Sequence, residues 1–132
     1  MSIITGRGDS GETDLLFGKR VAKSGSRVEA LGAVDELNAA LGLARASGLA
    51  DEVEGIVDHV QEKLVGLMGQ PACLPEDAGK YDEKGYAKVL EDDVSWLEEK
   101  ARAFEDRGIR FTGWARPGVE HSIARAGLDV AR

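Results

Sequence analysis

The chain has 132 residues, 42% of them apolar, and a formal net charge of −7. That length fits one domain. The acidic balance excludes a general nucleic-acid-binding or anionic-membrane role, because both need a basic face. No run of about 18 apolar residues reads as a transmembrane span. The start, Met-Ser-Ile-Ile-Thr-Gly-Arg, lacks the charged-then-apolar layout of a signal peptide. A single cysteine, Cys73, forbids an intrachain disulfide and points to a reducing, cytoplasmic compartment. No histidine is near it in sequence, so it reads as a small buried thiol. His59 and His121 are too scattered to make a zinc site.

Residues 1–26 have no helical period, and Gly6, Gly8, Gly11, Gly18 and Gly25 mark the segment as loop. From Arg27 onward Val28, Leu31, Val34, Leu37, Leu41 and Ala44 recur at helical spacing, up to a stop near Gly48. A second helix starts at Asp51 and lines Val53, Ile56, Val57, Val60, Leu64, Leu67 and Met68 along one face. Its heptad-like pattern suits shallow-angle packing. Gly69 to Lys84, with Pro71, Pro75 and Gly79, reads as a loop. A third helix is expected to turn Tyr86, Val89, Leu90, Val94, Leu97, Ala101 and Phe104 inward and a charged face outward, closing at Gly108. Another loop runs from Phe111 to Gly118. Pro117 then opens a last helix with Val119, Ile123, Ala126 and Val130 on its apolar side. No segment alternates well enough to be a strand. The expected fold is all-α: a short up-down bundle of about four helices, one domain over 1–132, with a glycine-rich N-terminal loop.

The richest candidate site is Thr5-Gly-Arg-Gly-Asp-Ser-Gly-Glu-Thr13, followed by Phe17-Gly-Lys-Arg-Val-Ala-Lys23. Glycines two and three residues apart let backbone N–H groups converge on an anion. Thr5, Ser10 and Thr13 add hydroxyls. Arg7, Lys19, Arg20 and Lys23 add positive charge, and Asp9 offers a carboxylate to Mg²⁺. These are the groups of a phosphate site, although a solvated N-terminal arm has the same composition. The spacing matches neither a Walker loop nor a dinucleotide fingerprint. Asp35 and Asn38 lie one turn apart on the first helix, where a buried carboxylate needs a cation such as Arg125. Trp114, in the loop before Pro117, can pack on the core or on a flat ligand.

Together these segments resemble the PduO-type ATP:cob(I)alamin (corrinoid) adenosyltransferases. The match runs through Thr5-x-x-Gly-Asp-x-Gly-x-Thr13, Arg20-Val-x-Lys23 and Arg27-Val-Glu-Ala-x-Gly-x-Val-Asp-Glu-Leu-Asn38. It continues more weakly through Gln61-x-x-Leu64, Trp96-Leu-Glu-Glu99, Pro117-Gly118 and Ala124-Arg125. The resemblance implies a homotrimer of helical bundles that binds ATP with Mg²⁺ and a corrinoid, free or held by a corrinoid protein, at subunit interfaces. It implies transfer of the 5′-deoxyadenosyl group to Co(I) with release of triphosphate. Thr5, Arg7, Gly8, Asp9, Ser10, Gly11, Thr13 and Lys23 would hold the phosphates, with Asp9 at the metal. Arg27, Glu29 and Asn38 would complete the nucleotide site. Asp35 would pair with Arg125 of a neighbouring subunit, and Trp114 would stand where the family's corrinoid-facing Phe lies.

The chain departs from the family pattern toward its end. Aligned on Arg125, two adjacent arginines of the family become Asp129 and Val130, and a glutamate becomes Arg132. His121 falls one place early, and the family's further helix is expected to be missing. Two activities therefore stand side by side: adenosyl transfer to a corrinoid, or ATP binding, hydrolysis or sensing without that transfer.

Overall fold

The computed structural model describes residues 4–109, 113, 116 and 122–132. Its elements in chain order are β1 (Glu12–Asp14), a 3-10 turn (Leu16–Gly18), β2 (Arg20–Ala22), α1 (Ser26–Ala46), α2 (Asp51–Gly69), a second 3-10 turn (Pro75–Asp77), α3 (Ala78–Glu83), α4 (Glu91–Asp106) and α5 (Ile123–Ala131). The all-α expectation holds, with a small sheet added. β1 and β2 form an antiparallel hairpin that pairs Glu12 with Ala22, Thr13 with Val21 and Asp14 with Arg20. The supposed loop of residues 1–26 thus contains a folded unit. Two three-residue strands are too short for alternation to reveal them.

The core lies where α1 meets α2 and α5. Leu41, Val57 and Leu64 are its buried centre, with Val34, Leu37, Val53, Val60, Leu128 and Ala131 packed around them. Each such aliphatic side chain contributes about 1.5–3 kcal/mol when fully buried. The expected stripes on α1 and α2 face this core at Val34, Leu37, Leu41, Val53, Val57, Val60 and Leu64, while Leu67 is exposed. Gly48, at φ 87, follows the end of α1 as expected of a glycine stop.

α1 and α5 make the most extensive helix contact, and small residues make it possible. Ala44 is fully buried, Ala40 and Ala124 nearly so, and a Cβ on Gly127 would stand 3.0 Å from the Ala44 Cβ. This corrects the expected inner side of the last helix. Ile123 and Val130 are 64% and 77% exposed, because the close crossing admits only the Ala124–Gly127 side. Val119 and Pro117 lie outside the described residues.

The third long helix also differs from expectation. It begins at Glu91 rather than near Tyr86, and α3 occupies part of the expected 69–84 loop. Asp93 accepts a hydrogen bond from the Leu90 N–H at 2.8 Å, which satisfies an open donor at the start of α4. The side of α4 that meets α2 is polar and aromatic. Trp96 lies against His59 with ring centroids 3.9 Å apart, Lys63 pairs with Asp93 at 2.9 Å, and Arg107 pairs with Glu52 at 2.7 Å. Leu90, Val94 and Leu97, expected inward, are 59%, 52% and 45% exposed. Among the described residues no helix is long and apolar enough to cross a membrane.

Candidate functional site

The hairpin arranges the N-terminal loop. Gly6 and Gly11 adopt φ of 64° and 81°, a region that favours glycine, so the chain doubles back between them. Asp9 N–H donates to the Gly6 carbonyl at 3.1 Å and Gly11 N–H to the Gly8 carbonyl at 3.2 Å. Lys23 N–H donates to the Gly11 carbonyl at 2.8 Å, tying the end of β2 to the loop before β1.

Arg20 stitches this unit together. Its guanidinium donates to Glu12 at 3.3 Å, to Asp14 at 3.2 Å and to the Arg7 carbonyl at 3.0 Å. The second Asp14 oxygen pairs with Arg7 at 2.9 Å. Thr5, Arg7, Gly8, Glu12, Thr13, Asp14 and Arg20 line an open groove of about 260 Å³. The Lys23 amine reaches the same loop. A Cβ on Gly8 would stand 2.8 Å from its Nζ, so only glycine leaves the amine its place. Asp9 and Ser10 are exposed on the turn.

This gathers Thr5, Arg7, Gly8, Gly11, Thr13 and Lys23 from the sequence expectation, with Asp9 and Ser10 on the same loop. Arg20, Glu12 and Asp14 join them. Arg20 was legible as charge only, because its role depends on a strand pairing.

The other expected residues lie elsewhere. Arg27, in the first turn of α1, donates to the Pro71 carbonyl at 2.7 Å and to the Cys73 carbonyl at 3.2 Å. It fastens α1 to the segment after α2. Glu29 is exposed in that same first turn. Asn38 accepts at Oδ1 from Gln61 Nε2 at 2.8 Å, and its backbone carbonyl accepts from the same nitrogen at 3.1 Å. This bridges α1 and α2. Asp35 is exposed on α1 and Arg125 exposed on α5, where the Arg125 N–H donates to the Ser122 hydroxyl at 3.2 Å. Trp114 and His121 lie outside the described residues. Cys73 is buried with a free thiol, as expected.

A second polar cluster sits at the opposite end of the hairpin. Asp77 is 2% exposed and pairs with Lys80 at 2.5 Å and with Lys19 at 3.4 Å. The Lys80 hydrogen bond, helped by Lys19, holds the Asp77 carboxyl below its usual range, against the opposing effect of burial. The Lys19 ammonium is correspondingly raised, chiefly by the Asp77 carboxylate beside it. No sequence signal marked Asp77, which stands in a charged, proline-bounded stretch. Among the described residues no group of three His, Cys, Asp or Glu side chains forms a metal cluster.

The sequence profile of the cobalamin adenosyltransferases matches residues 3–132. The chain belongs to that family. It is 42% identical over 132 residues to the corrinoid adenosyltransferase PduO of Citrobacter freundii, covering all of this chain and 38% of that protein. It is 41% identical over 125 residues to a cobalamin adenosyltransferase of Cupriavidus metallidurans, covering 94% of this chain and 62% of that one. The chain thus spans less than two thirds of the length of these curated relatives. Among solved structures, a variant PduO-type ATP:corrinoid adenosyltransferase from Lactobacillus reuteri, complexed with cobalamin and ATP, superposes with a TM-score of 0.76. That pair is 27% identical, and the match covers 98% of this chain and 68% of the other.

Proposed function

We propose that the protein is a corrinoid adenosyltransferase whose Thr5–Thr13 loop and Lys23 hold the triphosphate of ATP. The observation that carries this is the cradle at Gly8, where a missing Cβ leaves room for the Lys23 amine against a loop bent by Gly6 and Gly11. A lysine above a glycine-bent loop suits an anion. The loop therefore fits the group that the family resemblance implies. The Lactobacillus reuteri relative, a complex with cobalamin and ATP, supports the same reading.

In the reaction, Co(I) attacks the 5′-carbon of ATP. A cobalt–carbon bond forms, the carbon–oxygen bond breaks, and the triphosphate leaves with the electron pair. The chain's own part is electrostatic. Arg7 and Lys23 would face the leaving group, with Thr5 and Thr13 donating hydroxyl hydrogen bonds. Arg20 holds the Arg7 backbone in place. Asp9 would help hold Mg²⁺, which takes few protein carboxylates when phosphates supply most of its oxygens. Arg27, Glu29 and Asn38, on α1, would complete the nucleotide site. Asp35 would pair with Arg125 of a neighbouring subunit, and Trp114 would stand where the family's corrinoid-facing Phe lies.

The assembly we propose is a homotrimer in the cytoplasm. Exposed apolar side chains on α2, α4 and α5, including Val65, Val94 and Val130, support a covered face. Anaerobic incubation with ATP, Mg²⁺ and cob(I)alamin, followed by absorption spectroscopy, tests the activity. A cobalt–carbon product is expected. Its absence would leave ATP binding or hydrolysis as the function of the loop.

A further inference from the structure

The hairpin has two ends. One carries the Thr5–Thr13 loop and Lys23. The other, residues 15–19, is fixed to the connection between α2 and α3. Leu15 is 7% exposed, and the Leu16 N–H donates to the Ala72 carbonyl at 2.9 Å. Phe17 adopts φ 59°, an unusual conformation for a bulky residue. Its ring stacks on Tyr86 at 6.3 Å. Lys19 reaches the buried Asp77, at 3.4 Å, and the exposed Glu76, at 3.5 Å.

The same connection receives Arg27. Its guanidinium takes the Pro71 and Cys73 carbonyls, four residues beyond Lys23. The segment from the hairpin to α1 is thus held on both sides by residues 71–77. Asp77 is the only charged group in that platform that is buried, among the described residues. A carboxylate so enclosed keeps its charge because lysines partner it, and one of the two belongs to the hairpin.

We propose that Asp77 is a positioning residue for the triphosphate: by clamping Lys19 it docks the far end of the hairpin and keeps the Thr5–Thr13 loop and Lys23 in the geometry that receives the anion. The proposal rests on reading that loop as the triphosphate site. Asp77 touches no substrate. Its effect is to raise the population of the docked, binding-ready hairpin. When that population falls to a tenth, apparent affinity falls about tenfold.

The experiment uses the full chain with Asp77→Asn, Lys19→Ala and their combination, each titrated with ATP and Mg²⁺. Hydrogen exchange is followed at the Leu15, Leu16 and Lys23 amides. Each single variant is expected to bind ATP roughly tenfold more weakly. The combination should be no weaker than either, because both break one contact. Exchange should quicken at those amides and not in the α1–α2 core. Lys19 is partly exposed, so its variant folds even if Asp77→Asn does not. A parent that binds ATP and loses it on Lys23→Ala, yet is indifferent to Asp77→Asn and Lys19→Ala, overturns the positioning role alone. A parent that binds no ATP overturns the loop reading as well.

Discussion

Replacing Gly8 by alanine separates binding from folding at the proposed phosphate loop. The new Cβ would stand 2.8 Å from Lys23 Nζ, 3.2 Å from its Cε and 3.6 Å from the Glu12 carbonyl oxygen. Two of these atoms are the far end of a flexible side chain, which swings away at little cost. Gly8 is not among the positive-φ glycines, so its backbone accepts an alanine. Loss of chain entropy in the unfolded state then stabilises by about 0.4–1 kcal/mol, which offsets the crowding. The net change in stability is expected to be within about 0.5 kcal/mol, the range of ordinary surface substitutions. Binding behaves differently, because the displaced amine no longer stands over the loop. A hydrogen bond to a charged group is worth about 1.5–3 kcal/mol. Its loss weakens ATP roughly 10- to 150-fold. Calorimetric titration with Mg-ATP and a thermal melt measure the two effects. A Gly8→Ala protein that binds ATP as tightly as the parent would refute the cradle. A large fall in melting temperature would refute the claim that only the lysine tip is in the way.

Other substitutions test the frame that holds the loop. Gly127→Ala should destabilise by about 1–3 kcal/mol, as overpacking does, because its Cβ meets Ala44 at 3.0 Å; chemical denaturation measures it. Arg27→Ala leaves the Pro71 and Cys73 carbonyls without their donor and should cost about 1–3 kcal/mol in the same assay. The Asp93 carboxyl is held below its usual range, first by the Leu90 N–H and then by Lys63. Its folded value lies below the unfolded value of about 3.9. Its contribution is therefore present above that pH and lost as the pH falls through the folded value. Melting curves from pH 6 to pH 2, about the span of that loss, should fall less steeply for Asp93→Asn than for the parent.

Much of the fold was legible because α1 and α2 repeat apolar residues at a helical period over many turns, and that repetition reports burial directly. The rest turned on pairings that no local pattern encodes. The hairpin rests on two short strands, and its order comes from Arg20 meeting Glu12, Asp14 and the Arg7 carbonyl. α4 carries a good apolar stripe, yet Trp96 on His59 and the Asp93 and Arg107 ion pairs turn another side toward α2. α5 departs from its apolar pattern for a different reason. Small residues gain burial by letting helices approach, so Ala124 and Gly127 outrank the larger Ile123 and Val130 at the crossing. At the site, the glycines and Lys23 were visible as types that favour anions. Asp77 was not, because the burial of a carboxylate depends on where Lys19 and Lys80 arrive.

The central claim is that the Thr5–Thr13 loop holds ATP so that its triphosphate departs intact. The most direct measurement is the fate of the phosphates when the protein, ATP and Mg²⁺ are incubated with cob(I)alamin without oxygen. Intact triphosphate in equal amount to the cobalt–carbon product, with both abolished by Lys23→Ala, is the predicted result. Release of ADP and phosphate, or of pyrophosphate, without a cobalt–carbon product would contradict it.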